Sequence, residues 1–178
     1  LSNAEIDWLV HRAKGGFGII TTAATHVSKD GQSWDGEFGV FDDLHIGQLN
    51  KLTSLVRNEG SLCFAQLFHG GSQSSERLTG SVPISSSKNY SKGSISGYSL
   101  EASEADIYRI IDDFASAANR CANSGFDGIE LHAAHGYLIS QFLGTKTNTR
   151  NDKWGGDLTQ RSRFLLEICR SIKNVLPE

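Results

Sequence analysis

A chain of 178 residues is long enough to bury one sizeable core, and its 38% apolar and 21% charged content fits a globular domain. Nineteen glycines against two prolines point to many tight turns and not to a disordered tail, and a formal net charge of −3 excludes the basic face that nucleic acid needs. No apolar run reaches the ~18–20 residues that cross a bilayer, and no leader pattern opens the chain, so no membrane partner and a cytoplasmic location are expected.

In chain order, Ser2 and Glu5 have capping-box spacing, and Ile6, Leu9, Val10 and Ala13 follow on one helical face, which predicts a helix near 3–14. Gly15-Gly16 stops it, and Phe17 to Thr22 reads as a buried strand (17–22) leading into a loop that runs to Asp43. A second helix near 44–58 carries Ile46, Leu49, Leu52 and Val56, and a second strand spans 61–67. The Ser- and Gly-rich stretch from Phe68 to about Ala102 has no periodicity, so it is expected to be a flexible lid or disordered. A third helix near 104–124 is capped by Ser103 with Asp106 three residues on, and its stripe is Ile107, Ile110, Ile111, Phe114, Ala117, Ala118 and Cys121. A strand near 126–132 then leads into a loop holding His132, His135 and Tyr137. The last helix, near 158–175, opens at Asp157 with Gln160 in the box position and is expected to bury Phe164, Leu165, Ile168, Ile172 and Val175.

Strands alternating with helices imply an α/β fold with a parallel sheet. The connections are lopsided: helix-to-strand links are very short, while strand-to-helix links are long. Long loops gathered at the carboxyl ends of the strands are the asymmetry of a (β/α)8 TIM barrel, whose chemistry sits on those loops. No G-x-G-x-x-G turn follows a strand, which leaves a dinucleotide-binding sheet without its fingerprint. Only three strands are read where a barrel has eight, and the chain contains no methionine. The expectation is one domain over 1–178 that forms part of a barrel, incomplete at both ends, within a longer protein.

Cys63, Cys121 and Cys169 lie far apart among apolar neighbours without a CxxC pair, so they are read as reduced packing residues. The richest chemistry follows the third strand, where titratable side chains crowd a strand's carboxyl end. There the sequence Gly125-Phe-Asp-Gly-Ile-Glu-Leu-His132-Ala-Ala-His135-Gly-Tyr137-Leu, continuing to Gln141-Phe-Leu, resembles the signature block of the Old Yellow Enzyme family. Asn148-Thr-Arg150-Asn-Asp152-Lys-Trp154-Gly-Gly156, continuing to Arg161-Ser-Arg163-Phe164, is similar to a second family block. Gln66-Leu-Phe-His69-Gly-Gly and Ala24-Thr-His-Val-Ser28 resemble two strand ends of the same family.

The resemblance implies an FMN-dependent NAD(P)H oxidoreductase on a TIM barrel that reduces activated C=C bonds of small enone-type substrates. It implies that Ala24 offers its backbone to the flavin and that Gln66 hydrogen-bonds the pyrimidine edge. His132 and His135 would donate to the substrate carbonyl, and Tyr137 would deliver a proton. Two fixed donors stabilise charge where it develops, and a phenol close to the strand end can serve as general acid. Trp154 stands where the family usually has Tyr, Gln160 where it has Asn, Ser72 where many members have Arg, and Ala23 where an acidic residue is common. Glu130, on the strand face of His132, is read as a buried hydrogen-bonding residue, and Arg161 and Arg163 as surface or loop anchors.

Two further readings stand beside this one. His69, His132 and His135 could ligate a metal in a barrel hydrolase, since imidazoles at strand ends suit zinc. Alternatively the chain is a folded but inactive piece, or it needs a homo-oligomer or a complementing remainder. On that view the isolated chain holds FMN weakly or not at all, and its open sheet edges favour association.

Overall fold

The computed structural model describes residues 1–176. Helix α1 (Asn3–Lys14) forms as its sequence predicts: Ser2 Oγ accepts from the Glu5 N–H at 3.1 Å, and Ile6, Leu9, Val10 and Ala13 are buried. Strand β1 (Ile19–His26) begins later than expected and runs on past Thr22. Phe17 is exposed, and its carbonyl accepts from Ser61 Oγ at 2.6 Å, so it belongs to the connection and not to the strand. Beyond Thr22 the strand survives because its register against the neighbouring strand shifts between Thr21 and Ala24. Within that bulge Thr22 Oγ1 takes the place of a backbone acceptor and receives the Gln66 N–H at 3.0 Å.

Helix α2 (Ile46–Asn58) starts after a 3-10 turn over Asp43–His45, in which Asp42 accepts from the Leu44 N–H and His45 accepts from the Asp42 N–H. Strand β2 (Leu62–Phe68) follows, with Cys63, Ala65, Leu67 and Phe68 buried. Burial, seconded by Asp127, pushes the Cys63 thiol up to about 12, and burial with Cys63 nearby does the same to Cys121, in keeping with packing roles.

The Ser-rich stretch is ordered, against the expectation from its composition. It holds a 3-10 turn over Gly71–Gln73, a short helix α3 (Glu76–Thr79) and a parallel pair, β3 (Ile84–Ser85) with β4 (Leu100–Glu101). Its serines do the work that apolar periodicity does elsewhere. Ser91 Oγ donates to Ser72 O at 2.6 Å, and Ser86 Oγ lies 2.9 Å from both Gln141 O and Thr147 O and shares its one proton between them, all in buried or half-buried surroundings.

Helix α4 (Glu104–Asn123) has the reciprocal Ser103–Asp106 capping box, and every residue of its predicted stripe is buried. Strand β5 (Gly128–Leu131) is shorter than the predicted 126–132, because the Phe126 N–H bonds back to Cys121 O at the end of α4. A short helix, α5 (Leu138–Leu143), was not foreseen after it. Helix α6 (Leu158–Val175) has the Asp157–Gln160 box in reciprocal form, so Gln160 serves as a capping partner. Phe164, Ile168 and Ile172 are buried as expected. Val175 is exposed and Leu165 only half-buried, because the buried row steps by four and continues to Leu176.

The main sheet has the order β1-β2-β5, all parallel, so β2 is central. Helices α1 and α2 pack beside the sheet, and α4 packs against both β2 and α6. All three strands point their carboxyl ends the same way, which gathers the long loops on one side.

Candidate active site

The site rises from three strand ends. Ala24 of β1 lies in register with Gln66 of β2, and Gln66 lies in register with Glu130 of β5. Gln66 Nε2 donates to Glu130 Oε1 across the two strands. Glu130 is exposed where burial was expected, because it lies on an edge strand of the three-stranded sheet. It remains a hydrogen-bonding partner and is not placed as a base.

After β5 the chain turns sharply. His135 has φ 54, the only positive φ outside glycine among the described residues, and Gly136 follows with φ 78. A non-glycine residue held in the left-handed region costs about 1–3 kcal/mol and persists where its surroundings enforce it. Here Gln73 Nε2 donates to His135 O at 2.9 Å, Gln141 Nε2 donates to Gly136 O, and the Tyr137 N–H donates to Ala134 O at 3.2 Å. Tyr137 then occupies the N-cap position of α5 without a side-chain capping bond.

The turn sets the protonation of both imidazoles. The Ala134 N–H points to His132 Nδ1 at 3.3 Å, which makes that nitrogen an acceptor and places the proton on Nε2. His132 Nε2 lies 3.2 Å from His135 Nδ1, so His135 accepts there and keeps its own proton on Nε2, free for an incoming acceptor. Burial, and then His135, lowers the His132 pKa against the opposing pull of Glu130. It is therefore a neutral donor at pH 7. Burial, and then the charge of Glu37, raises the Tyr137 phenol. Its ring stands edge-on to His132 at 4.8 Å and to Phe68 at 4.9 Å. The rings of His132, His135 and Tyr137 thus meet on the one turn that follows β5, the strand that carries Glu130.

His69 does not join them. It is fully buried, its Nδ1 accepts from the Gly71 N–H at 3.0 Å, and its Nε2 faces Asp30 Oδ1 at 3.5 Å. The three imidazoles proposed as metal ligands therefore do not share a centre, and among the described residues no group of three His, Cys, Asp or Glu side chains is placed to hold a metal.

The second sequence block is bracing. Arg150 is buried and donates to Ser86 O and Ala102 O at 3.0 and 2.7 Å while pairing with Asp152. Asn148 Nδ2 donates to Phe142 O and Trp154 O, and Trp154 is buried edge-on to Tyr108. Arg161 anchors the Leu143 and Gly156 carbonyls, as expected of a loop anchor. Gln141 had not been singled out. It is buried, and its Oε1 accepts from the Ser72 N–H and Ser85 Oγ. A lone amide within an apolar run, Leu138-Ile-Ser-Gln-Phe-Leu, is the signal that could have found it.

Comparison with known proteins gives the family. The probable NADH-dependent flavin oxidoreductase YqiG of Bacillus subtilis is 34% identical over 179 residues, covering 100% of this chain and 47% of its own length. An NADPH dehydrogenase of the same organism is 37% identical over 166 residues, covering 93% of this chain and 48% of its own. The chain thus spans about half the length of these curated relatives. The crystal structure of the Old Yellow Enzyme homologue from Zymomonas mobilis superposes with a TM-score of 0.88 at 30% identity, over 96% of this chain and 50% of that one. The three parallel strands and their helices are accordingly part of a TIM barrel. The family model for NADH:flavin oxidoreductases matches residues 1–178. This chain belongs to the NADH:flavin oxidoreductase / NADH oxidase family, FMN-dependent oxidoreductases of Old Yellow Enzyme type that work with NAD(P)H.

Proposed function

We propose that the chain carries the substrate-activating groups of an ene-reductase, which reduces the C=C bond of an α,β-unsaturated carbonyl compound. The observation that carries this reading is the convergence of two imidazoles 3.2 Å apart and a phenol stacked against one of them, all on one strained turn beside Gln66 and Ala24. The residues fit FMN on one observation: Ala24, Gln66 and Glu130 stand in register across the open inner face of the sheet. Ala24 would offer backbone there, and Gln66 an amide that suits the donors and acceptors of the pyrimidine edge. When bound, FMN supplies hydride to the β-carbon.

The chain's own groups do the rest. Charge that develops on the carbonyl oxygen is met by the free His135 Nε2–H and by His132 Nε2–H, which exchanges its contact with His135 for the substrate oxygen. His132, whose pKa burial lowers, acts as a neutral donor, so it stabilises charge without proton transfer. Tyr137 protonates the α-carbon, and its raised pKa keeps the phenol charged with its proton until then.

The test is NADPH oxidation driven by a simple cyclic enone in flavin-loaded protein that carries this chain. Tyr137→Phe is expected to lower turnover about 10²-fold; full turnover without the hydroxyl would remove Tyr137 from the reaction. For the 178-residue chain alone, we expect FMN to be largely lost on desalting and sedimentation to show association. A retained, structured flavin band in a monomer would overturn that expectation.

A further inference from the structure

Behind the ring stack lies a buried pair that the proposed chemistry has not used. Glu37 has a side-chain exposure of 0%, and His26, the last residue of β1, one of 4%. His26 Nδ1 lies 2.7 Å from Glu37 Oε1. The other carboxylate oxygen accepts from the backbone N–H groups of Ser33 and Trp34 at 2.9 and 3.3 Å. Gly36, with φ 78, lets the chain reverse between them. The turn is sewn to β1 from both sides, since the His26 N–H donates to Phe38 O at 3.3 Å and the Val40 N–H donates to His26 O at 3.0 Å. Gly39 is required at that seam: a Cβ there would stand 2.5 Å from His26 Nε2.

A buried carboxylate is costly unless fully bonded, and this one is spent on a single turn. What the turn delivers is Trp34. Its indole stacks on Phe68 with centroids 5.6 Å apart and planes at 29°. Phe68 in turn meets Tyr137 edge-on at 4.9 Å and His132 at 6.3 Å. The route is therefore contiguous: Glu37, the 33–37 turn, Trp34, Phe68, Tyr137.

We propose that Glu37 is a positioning residue for Tyr137, acting through its own negative charge and through the turn it ties off, which places the Trp34–Phe68 stack against the phenol ring. The proposal rests on the reading of Tyr137 as the proton donor. Its geometry has an electrostatic companion, since Glu37's charge and the burial of Tyr137 both favour the protonated phenol. The other titratable groups around Tyr137 are His132 and His135 on its own turn and the buried His69, whose carbonyl accepts from the Leu138 N–H; His26 lies behind Glu37. None of these is an anion; Glu130 lies beyond His132 and acts on that ring, while Glu37 raises the phenol.

The experiment is an ultraviolet titration of the tyrosines in the 178-residue chain. The difference between the parent and Tyr137→Phe isolates the one phenol among four tyrosines. Glu37→Gln keeps an oxygen for the two backbone donors but loses the charge, and the Tyr137 midpoint is expected to fall. Glu37→Asp restores the charge and should return the midpoint toward the parent value, which a merely structural role would not do. An unchanged midpoint in folded Glu37→Gln overturns the proposal. Should that variant fail to fold, Trp34→Leu tests the same route from its other end. Losing the indole lets water reach the Phe68–Tyr137 contact, so the midpoint falls; no shift overturns the proposal. These results do not depend on turnover. The catalytic reading of Tyr137 stands or falls separately on the activity of Tyr137→Phe.

Discussion

Two polar segments of this chain look alike on paper and behave as opposites. The His132–Tyr137 turn and the Asn148–Gly156 segment each pack several titratable or amide side chains into a few residues. In the second, the long polar side chains are satisfied inside the protein, Arg150 by two carbonyls and Asp152 and Asn148 by two more carbonyls, while the buried Trp154 Nε1 has no partner among the described residues. In the first, the backbone is satisfied and His132 is bonded through both ring nitrogens, while His135 Nε2 and the Tyr137 hydroxyl have no partner among the described residues. Strain is distributed the same way, with the one left-handed non-glycine residue of the described chain in the first segment. The lesson is that a dense polar motif is chemical only where its hydrogen bonds are left unfinished.

Substitutions can break that contrast, beginning with the largest expected effect. Arg150→Ala should cost about 3 kcal/mol by urea unfolding, because it strands two buried carbonyls and the Asp152 carboxylate. A loss under about 1 kcal/mol would mean that the bracing reading is wrong. His135→Gly should do the reverse: kcat/KM with an enone drops about 100-fold as one donor disappears, while stability holds or rises by up to about 1 kcal/mol as the φ strain is relieved. Marked destabilisation by that change would make His135 a structural residue like Arg150.

The smallest effect sharpens the border between the two kinds of site. Burial is the largest influence on Asp30 and pushes its pKa up, but His69, Ser28 and the Arg109 ion pair at 2.6 Å together outweigh it and hold the carboxyl well below its ordinary 3.8. The His69 contact is long, with Nε2 3.5 Å from Asp30 Oδ1. A depressed carboxylate pKa adds stability that is present above the unfolded value and lost as pH falls through the folded one. The parent should therefore lose stability from about pH 4 downward, and Asp30→Asn should lack that part of the slope in urea midpoints measured at pH 6 and pH 3. Identical slopes would leave Asp30 without a role in acid stability.

Much of this was legible in the residues. Helical stripes located α1, α4 and α6 nearly to the residue, with reciprocal capping boxes at α4 and α6 and the Ser2 half of one at α1, because 3.6-residue periodicity and caps are local properties. The convergence of His132, His135 and Tyr137 was legible because all three sit on one turn. What stayed hidden depended on partners distant in the chain. The serines between Ser85 and Ser99 order their loop only by reaching Gln141, Thr147 and Ser72, which composition cannot reveal. Glu37 gave no signal either, since its worth lies in His26 and in two amides closed by a glycine turn.

The bulge in β1 has a consequence for anyone who edits this chain. Because side chains alternate along a strand, one extra residue exchanges the inward and outward series for everything beyond it. Thr25 and His26 are buried, and His26 meets Glu37, only because that exchange occurs between Thr21 and Ala24. Deleting Ala23 would tidy the ladder and yet point the wrong half of the strand end at the core. In this strand the tolerated unit of change is two residues, not one, so a library that varies loop length here should step by pairs.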